Sequence, residues 1–111
     1  MNAVTDEQVQ DLAATAKPYS LVQLSWAPAR HQQGAEAIER EHQRRMVSLR
    51  ADGTIAILCP VQSEGLCGVA IMTQTLEQAR QTMARDPCVR AGMMTVEVLP
   101  CVGFPGDALP G

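Results

Sequence analysis

An α+β domain built on one antiparallel sheet is predicted by three features of the 111-residue chain. Its hydrophobic spacing switches repeatedly between that of a strand and that of a helix. Two capping boxes mark helix starts, and a loop of hairpin size joins two apolar runs in the middle of the chain. At 12.0 kDa there is room for a single core.

Each element has its own local cause. Thr5 and Gln8 form a capping box, flanked by Val4 and Val9 as a hydrophobic staple, and open a short helix over Asp6 to Ala16. Lys17-Pro18 closes that helix, making residues 1–17 an N-terminal helical extension. From Tyr19 to Ala27, Val22, Leu24 and Trp26 alternate with Gln23 and Ser25, as a strand requires, and Ala27-Pro28 ends it. Between Gln33 and Arg50, Ala35, Ile38, His42, Met46 and Leu49 recur at helical steps along one face. Glu36 to Arg40 and Glu41 to Arg45 are spaced as ion pairs worth about 0.3 kcal/mol each.

Asp52-Gly53 supplies a left-handed stop, after which Thr54 to Cys59 is β-branched and apolar enough for a buried strand ended by Pro60. Val61 to Gly65 is the hairpin loop, and Leu66 to Thr73 is the antiparallel return strand. Thr75 and Gln78 form the second capping box, with Leu76, Ala79 and Met83 as the apolar stripe of a helix running to Arg85. Asp86-Pro87 interrupts it and starts a further helical turn, Asp86 as N-cap and Pro87 at the first helical position, ending at Gly92. Met93 to Leu99 is the last strand. The Pro- and Gly-rich residues 101–111 form a tail expected to be irregular.

The order is therefore an extra helix followed by β-α-β-β-α-β over residues 18–100, the ferredoxin-like arrangement, with two helices on one face of a four-stranded antiparallel sheet. The other face is left bare, although several strands are apolar on both sides. Ile55 and Ile57 oppose Ala56 and Leu58, and Val69 and Ile71 oppose Ala70 and Met72. A sheet with water on one side should alternate apolar with polar, so the bare face is expected to meet a second copy and form a homodimer.

Composition removes several function classes. Nine Lys+Arg against twelve Asp+Glu, with three aromatic residues (Tyr19, Trp26 and Phe104), argue against nucleic acid as a partner. The longest apolar run, Ile55 to Cys59, is too short to span a bilayer, so no membrane partner is expected. Met1 to Lys17 lacks the basic start and apolar centre of a secretory leader, which makes the cytoplasm the expected address. Cys59, Cys67, Cys88 and Cys101 contain no C-x-x-C pair and are expected to be reduced packing residues that bind no metal.

His42 carries the most chemical information because it interrupts an apolar helix stripe and should point inward. Two roles fit: a core histidine bonded to a backbone carbonyl, or an acid/base lining a pocket between helix and sheet. Asp86 is a natural N-cap, and a carboxylate fixed in that way can use its second oxygen to orient an imidazole. Arg45, three residues after His42, either pairs with Glu41 or reaches the pocket edge to hold a substrate carboxylate. His31, in a Pro/Arg-rich loop, is expected to be solvated.

Residues Tyr19 to Pro100, about three quarters of the chain, resemble the YCII-related family. The resemblance is carried by Glu41-His42-Gln43 in the first long helix, Cys59-Pro60 after the second strand, Gly65-Leu66-Cys67-Gly68, and Leu76-Glu77-Gln78-Ala79. Its most distinctive part is Asp86-Pro87-Cys88-Val89-Arg90-Ala91-Gly92 followed by Val96-Glu97-Val98. It implies a dimeric α+β barrel whose active-site pair is His42 and Asp86, with Cys59, Pro60 and Gly68 beside the substrate pocket. One departure is Cys59-Pro60 where the family usually has Gly-Pro, which places a side chain against the pocket. The thiol is either a packing group or a reactive one.

The function expected is that of a small enzyme needing no cofactor, a lyase or isomerase that moves or eliminates a proton on a small cyclic or enolisable organic acid. The alternative is a non-catalytic module that uses the cavity for a ligand or the extra helix and tail for assembly.

Overall fold

The computed structural model describes residues 3–111. In chain order its elements are α1 (Asp6–Ala13), β1 (Lys17–Trp26), a 3-10 turn (Pro28–His31), α2 (Ala35–Ala51), β2 (Ile55–Pro60), β3 (Leu66–Met72), α3 (Leu76–Ala84), α4 (Pro87–Arg90) and β4 (Met94–Gly103). The strands form one sheet in the order β2-β3-β1-β4, with every neighbouring pair antiparallel. The chain is thus an α+β protein with one four-stranded antiparallel sheet. Among the described residues no helix is long and apolar enough to cross a membrane.

One face of the sheet carries the core. Val22 and Leu24 of β1, Ala70 and Met72 of β3, Ile55 of β2, and Met94 and Val98 of β4 are buried together with Met46 of α2, Ala79 and Met83 of α3, and Cys88 of α4. Burying each of the larger side chains contributes about 1.5–3 kcal/mol. Ser20 lies in the same layer and donates its hydroxyl to the Gln74 carbonyl at 2.9 Å, so its burial leaves no polar group unmatched. Both expected capping boxes are formed, Thr5 with Gln8 and Thr75 with Gln78. Gly53 stops α2 and Gly92 follows α4, at φ 85° and 74° respectively, a region that side-chain-bearing residues enter only with strain.

The opposite face is not covered by helices. Leu21, Ile57, Val69, Ile71 and Leu99 are half-buried there. A bulge explains how β2 serves both faces: Ile55 pairs with Met72 and Ile57 with Ile71, so Ala56 is an extra residue that resets the alternation. Ile55 and Leu58 consequently share the core side and Ile57 faces away, in place of the simple Ile55/Ile57 and Ala56/Leu58 alternation expected. A second bulge lies in β3, where Leu24 opposes Gly68 but Ser25 opposes Leu66, leaving Cys67 as the extra residue.

Strands β1 and β4 both run past the bounds expected for those elements. Lys17 and Pro18 are the first residues of β1, paired with Gly103 and Val102, so α1 ends at Ala13 and the strand begins inside the expected extension. By the same pairing Cys101 to Gly103 belong to β4, and the irregular tail begins only at Phe104. Pro100 does not stop the strand because β4 is at the sheet edge, where a missing N–H can face outward. The helix α1 has no buried residue, and the expected staple pair, Val4 and Val9, are 72% and 57% exposed. Of the two expected ion pairs in α2, Glu41 meets Arg44 at 3.6 Å instead of Arg45.

Candidate active site

Helical periodicity delivers His42 to the sheet side of α2, one turn before the core residue Met46. The ring is buried, 9% exposed, and its partner is a carboxylate, not a backbone carbonyl: Nδ1 lies 2.8 Å from Oδ2 of Asp86. A carboxylate can only accept, so the hydrogen sits on Nδ1, and in the neutral ring the lone pair is on Nε2. The sheet layer and the two helices bring together residues 44 positions apart in sequence.

Asp86 is fully buried and acts as N-cap of α4, accepting the Cys88 N–H at 3.0 Å. The division of labour differs from that expected. The same oxygen, Oδ2, takes both the backbone bond and the imidazole. The second oxygen, Oδ1, faces Nη1 of Arg45 at 3.6 Å, an ion pair beyond hydrogen-bond length, and neither atom has a hydrogen-bond partner.

Arg45, expected at the pocket edge, donates from its Nη2 to the Thr82 carbonyl at 2.6 Å. The guanidinium supports the carboxylate and does not line the cavity that His42 borders. Thr82 is held in turn by its hydroxyl, which donates to Oε1 of Gln74 at 2.8 Å.

His42 lines a cavity of about 240 Å³ between α2 and the sheet. Leu24, Trp26, Met46, Leu58 and Met94 make its wall mainly apolar, and Glu39 and Gln43 of α2 add polar groups. Cys59, Pro60 and Gly68 also border it. In the sheet Cys59 pairs with Val69, one position along from the core pair Leu58 and Ala70. Gly68 is not a steric necessity, since an added Cβ would meet Leu24 at an ordinary 3.6 Å.

Sequence reasoning missed one residue of this wall and one contact of a wall residue, Trp26. The Cys67 thiol borders the cavity because the β3 bulge re-aims it, and burial there pushes its pKa up, against a smaller downward pull from Arg30. The second is Arg30, whose guanidinium stacks 3.9 Å from the centre of the Trp26 ring. The signal available was the four-residue spacing of Trp26 and Arg30 across the turn begun by Pro28. His31 is exposed, as expected.

Cys88 completes a buried group in which ligand-type atoms of His42, Asp86 and Cys88 lie within 4.8 Å of one another. Burial, reinforced by the neighbouring Asp86 charge, pushes the Cys88 thiol up to about 12, so it keeps its proton at neutral pH. The other two donors are already joined directly. Together these features describe a hydrogen-bonded pair beside a neutral thiol.

In comparisons with known proteins, no family model matches the sequence and no curated protein matches it.

Proposed function

We propose that the chain is a small cofactor-independent enzyme that moves or eliminates a proton on a small cyclic or enolisable organic acid. The observation that carries this reading is the 2.8 Å bond from His42 Nδ1 to a fully buried carboxylate, made by a ring whose edge borders an apolar cavity. With Nδ1 committed to Asp86, Nε2 is the atom available to substrate. It takes a proton from an acidic C–H, and the electron pair of that bond moves into an enolate. Asp86 stabilises the imidazolium that results. Returning the proton to a different atom of the enolate completes an isomerisation; expelling a leaving group from the adjacent carbon completes an elimination. Apolar walls suit a substrate whose body is mainly hydrocarbon.

The resemblance to the YCII-related family supports the same pair, and the strand order supports a ferredoxin-like reading of the unit. The half-buried apolar strip on the open face supports its closure by a second copy into a dimeric α+β barrel.

Solvent deuterium exchange into a panel of small lactones and enolisable carboxylic acids, followed by proton NMR, tests the reading on the chemistry common to the class, whatever the natural substrate. The parent chain should exchange at least one of them, and His42→Ala should lower that rate by about 10²- to 10⁴-fold with the fold intact. An unchanged rate in His42→Ala overturns it. Saturable binding of the panel with no exchange would favour the non-catalytic module instead.

A further inference from the structure

We infer that Glu39 is a specificity-determining residue that makes the cavity select an uncharged carbonyl compound, such as a lactone or an ester, over the corresponding free carboxylate. The inference rests on the cavity being the substrate site, and it narrows the substrate class proposed for that site. Glu39 lies on α2 three residues before His42, at adjoining positions of one helix face, and both side chains line the cavity of about 240 Å³. Among the residues of that wall Glu39 is the one acidic side chain, and none is a lysine or an arginine. Its carboxylate is half-buried and takes no part in the ion pairs that form nearby, which join Asp86 to His42 and Arg45, and Glu41 to Arg44.

The cations near the cavity are engaged outside its wall. Arg30 stacks on the Trp26 ring, 3.9 Å from its centre, and Arg45 binds the Thr82 carbonyl and faces Asp86; neither lines the cavity. Arg40, the residue after Glu39, is exposed and outside the wall as well. The charge of Glu39 does reach the interior. At Cys88 it adds to burial and to the Asp86 charge in pushing the thiol up, and at Cys67 it works against the larger pull of Arg30. A carboxylate entering the cavity therefore meets a like charge at the wall, with no cation of the wall to offset it. The chemistry points the same way. Removing a proton beside a carboxylate leaves two negative charges on one small molecule, whereas a lactone or an ester enolises to a single one, and burying the doubly charged species costs more.

The test measures binding and so requires no turnover. Dissociation constants for 2-oxocyclopentaneacetate and its methyl ester, which share an enolisable ring and differ in charge, are read by ligand-observed proton NMR at neutral pH, with the fold of each variant checked by amide dispersion. The parent should bind the ester about tenfold more tightly than the carboxylate. Glu39→Gln should narrow that ratio by about 3- to 10-fold through stronger carboxylate binding, leaving the ester within about twofold of the parent. Glu39→Lys should go further and favour the carboxylate; if it does not fold, Glu39→Gln decides. Glu36→Gln removes an exposed acid three residues earlier on α2, outside the wall, and should leave the ratio at the parental value, which separates a charge in the wall from the net charge of the chain. An unmoved ratio in folded Glu39→Gln, a parent that prefers the carboxylate, or binding of neither probe overturns the inference. A carboxylate preference that is lost in Arg30→Gln would assign the selection to Arg30 instead. Ester-selective binding without deuterium exchange in the parent would refute only the catalytic reading; exchange abolished in His42→Ala with no ester preference in the parent would refute only the role of Glu39.

Discussion

The two faces of the sheet come from the same strands, yet only one is complete within a single chain. On the helix side Val22, Met72, Met83 and Asp86 are fully buried, and even the charged carboxylate has partners. On the other side, one residue along the strand, Leu21 stays half-exposed between Ile71 and Leu99. The difference teaches where the site's precision originates. His42, Asp86 and Arg45 all sit on the finished side, so their geometry is fixed by one chain's own packing. The unfinished side is the one proposed for assembly.

The sharpest way to break this contrast is to place a charge at adjacent positions of β1. Val22→Asp puts a carboxylate into the core without a partner and should cost more than about 4 kcal/mol, leaving no cooperative transition in a circular dichroism melt. Leu21→Asp should preserve the fold and act on association instead. In light scattering the parent should run at twice 12.0 kDa and Leu21→Asp at 12.0 kDa. A parent that is already monomeric would remove the assembly half of the comparison.

A smaller effect sharpens the helix side. Asp86→Ala removes the cap of α4, leaves His42 without its acceptor and Arg45 without its counter-charge, and should cost about 3 kcal/mol in urea unfolding. Asp86→Asn retains an acceptor for the Cys88 N–H and should cost about half as much, while abolishing the charge that the imidazolium needs. Equal losses for the two variants would mean that the charge, not the cap, dominates stability.

Alkali offers a milder probe of the same layer. The Cys88 thiol is raised from its ordinary 9.0 to about 12 by burial, so the folded chain keeps a proton that the unfolded chain gives up. That stability is fully present below pH 9.0 and is lost as pH rises toward 12. The decline in unfolding free energy should be on the order of 1 kcal/mol per pH unit within this window. Cys88→Ala should flatten it, and a parent slope equal to that of the variant would contradict the assignment. Least of all should α1 matter: with no residue buried, Thr5→Ala should lower the melting free energy by no more than about 1 kcal/mol.

Much of this was legible in the sequence because it rests on local rules. Helical spacing alone turned His42 inward, and Asp86-Pro87 alone announced an N-cap. What was not legible depends on the third dimension. Arg45 has helical neighbours at Glu41 and Pro87 on α4 within reach, and nothing in its spacing says that its guanidinium will back onto Asp86 instead of the cavity. The cysteine at 67 reads as a strand residue like any other, since a bulge is defined by the strand opposite. Pro100 and Lys17-Pro18 looked like boundaries because proline is a local stop; that β4 is an edge strand, and so tolerant of proline, follows from the sheet order alone.

The extra residue in β2 has an implication for how such a cavity could be resized. Ile55 and Ile57 keep their partners, Met72 and Ile71, on either side of Ala56. Removing Ala56 would therefore leave every cross-strand pairing and every wall residue as it is, while taking away the additional twist that a bulge imparts. The stretch from Leu58 to Pro60 would swing relative to α2, changing the span between wall and imidazole without altering a single chemical group. Chain length at this one point is thus a control on cavity size that is separable from the side chains lining it.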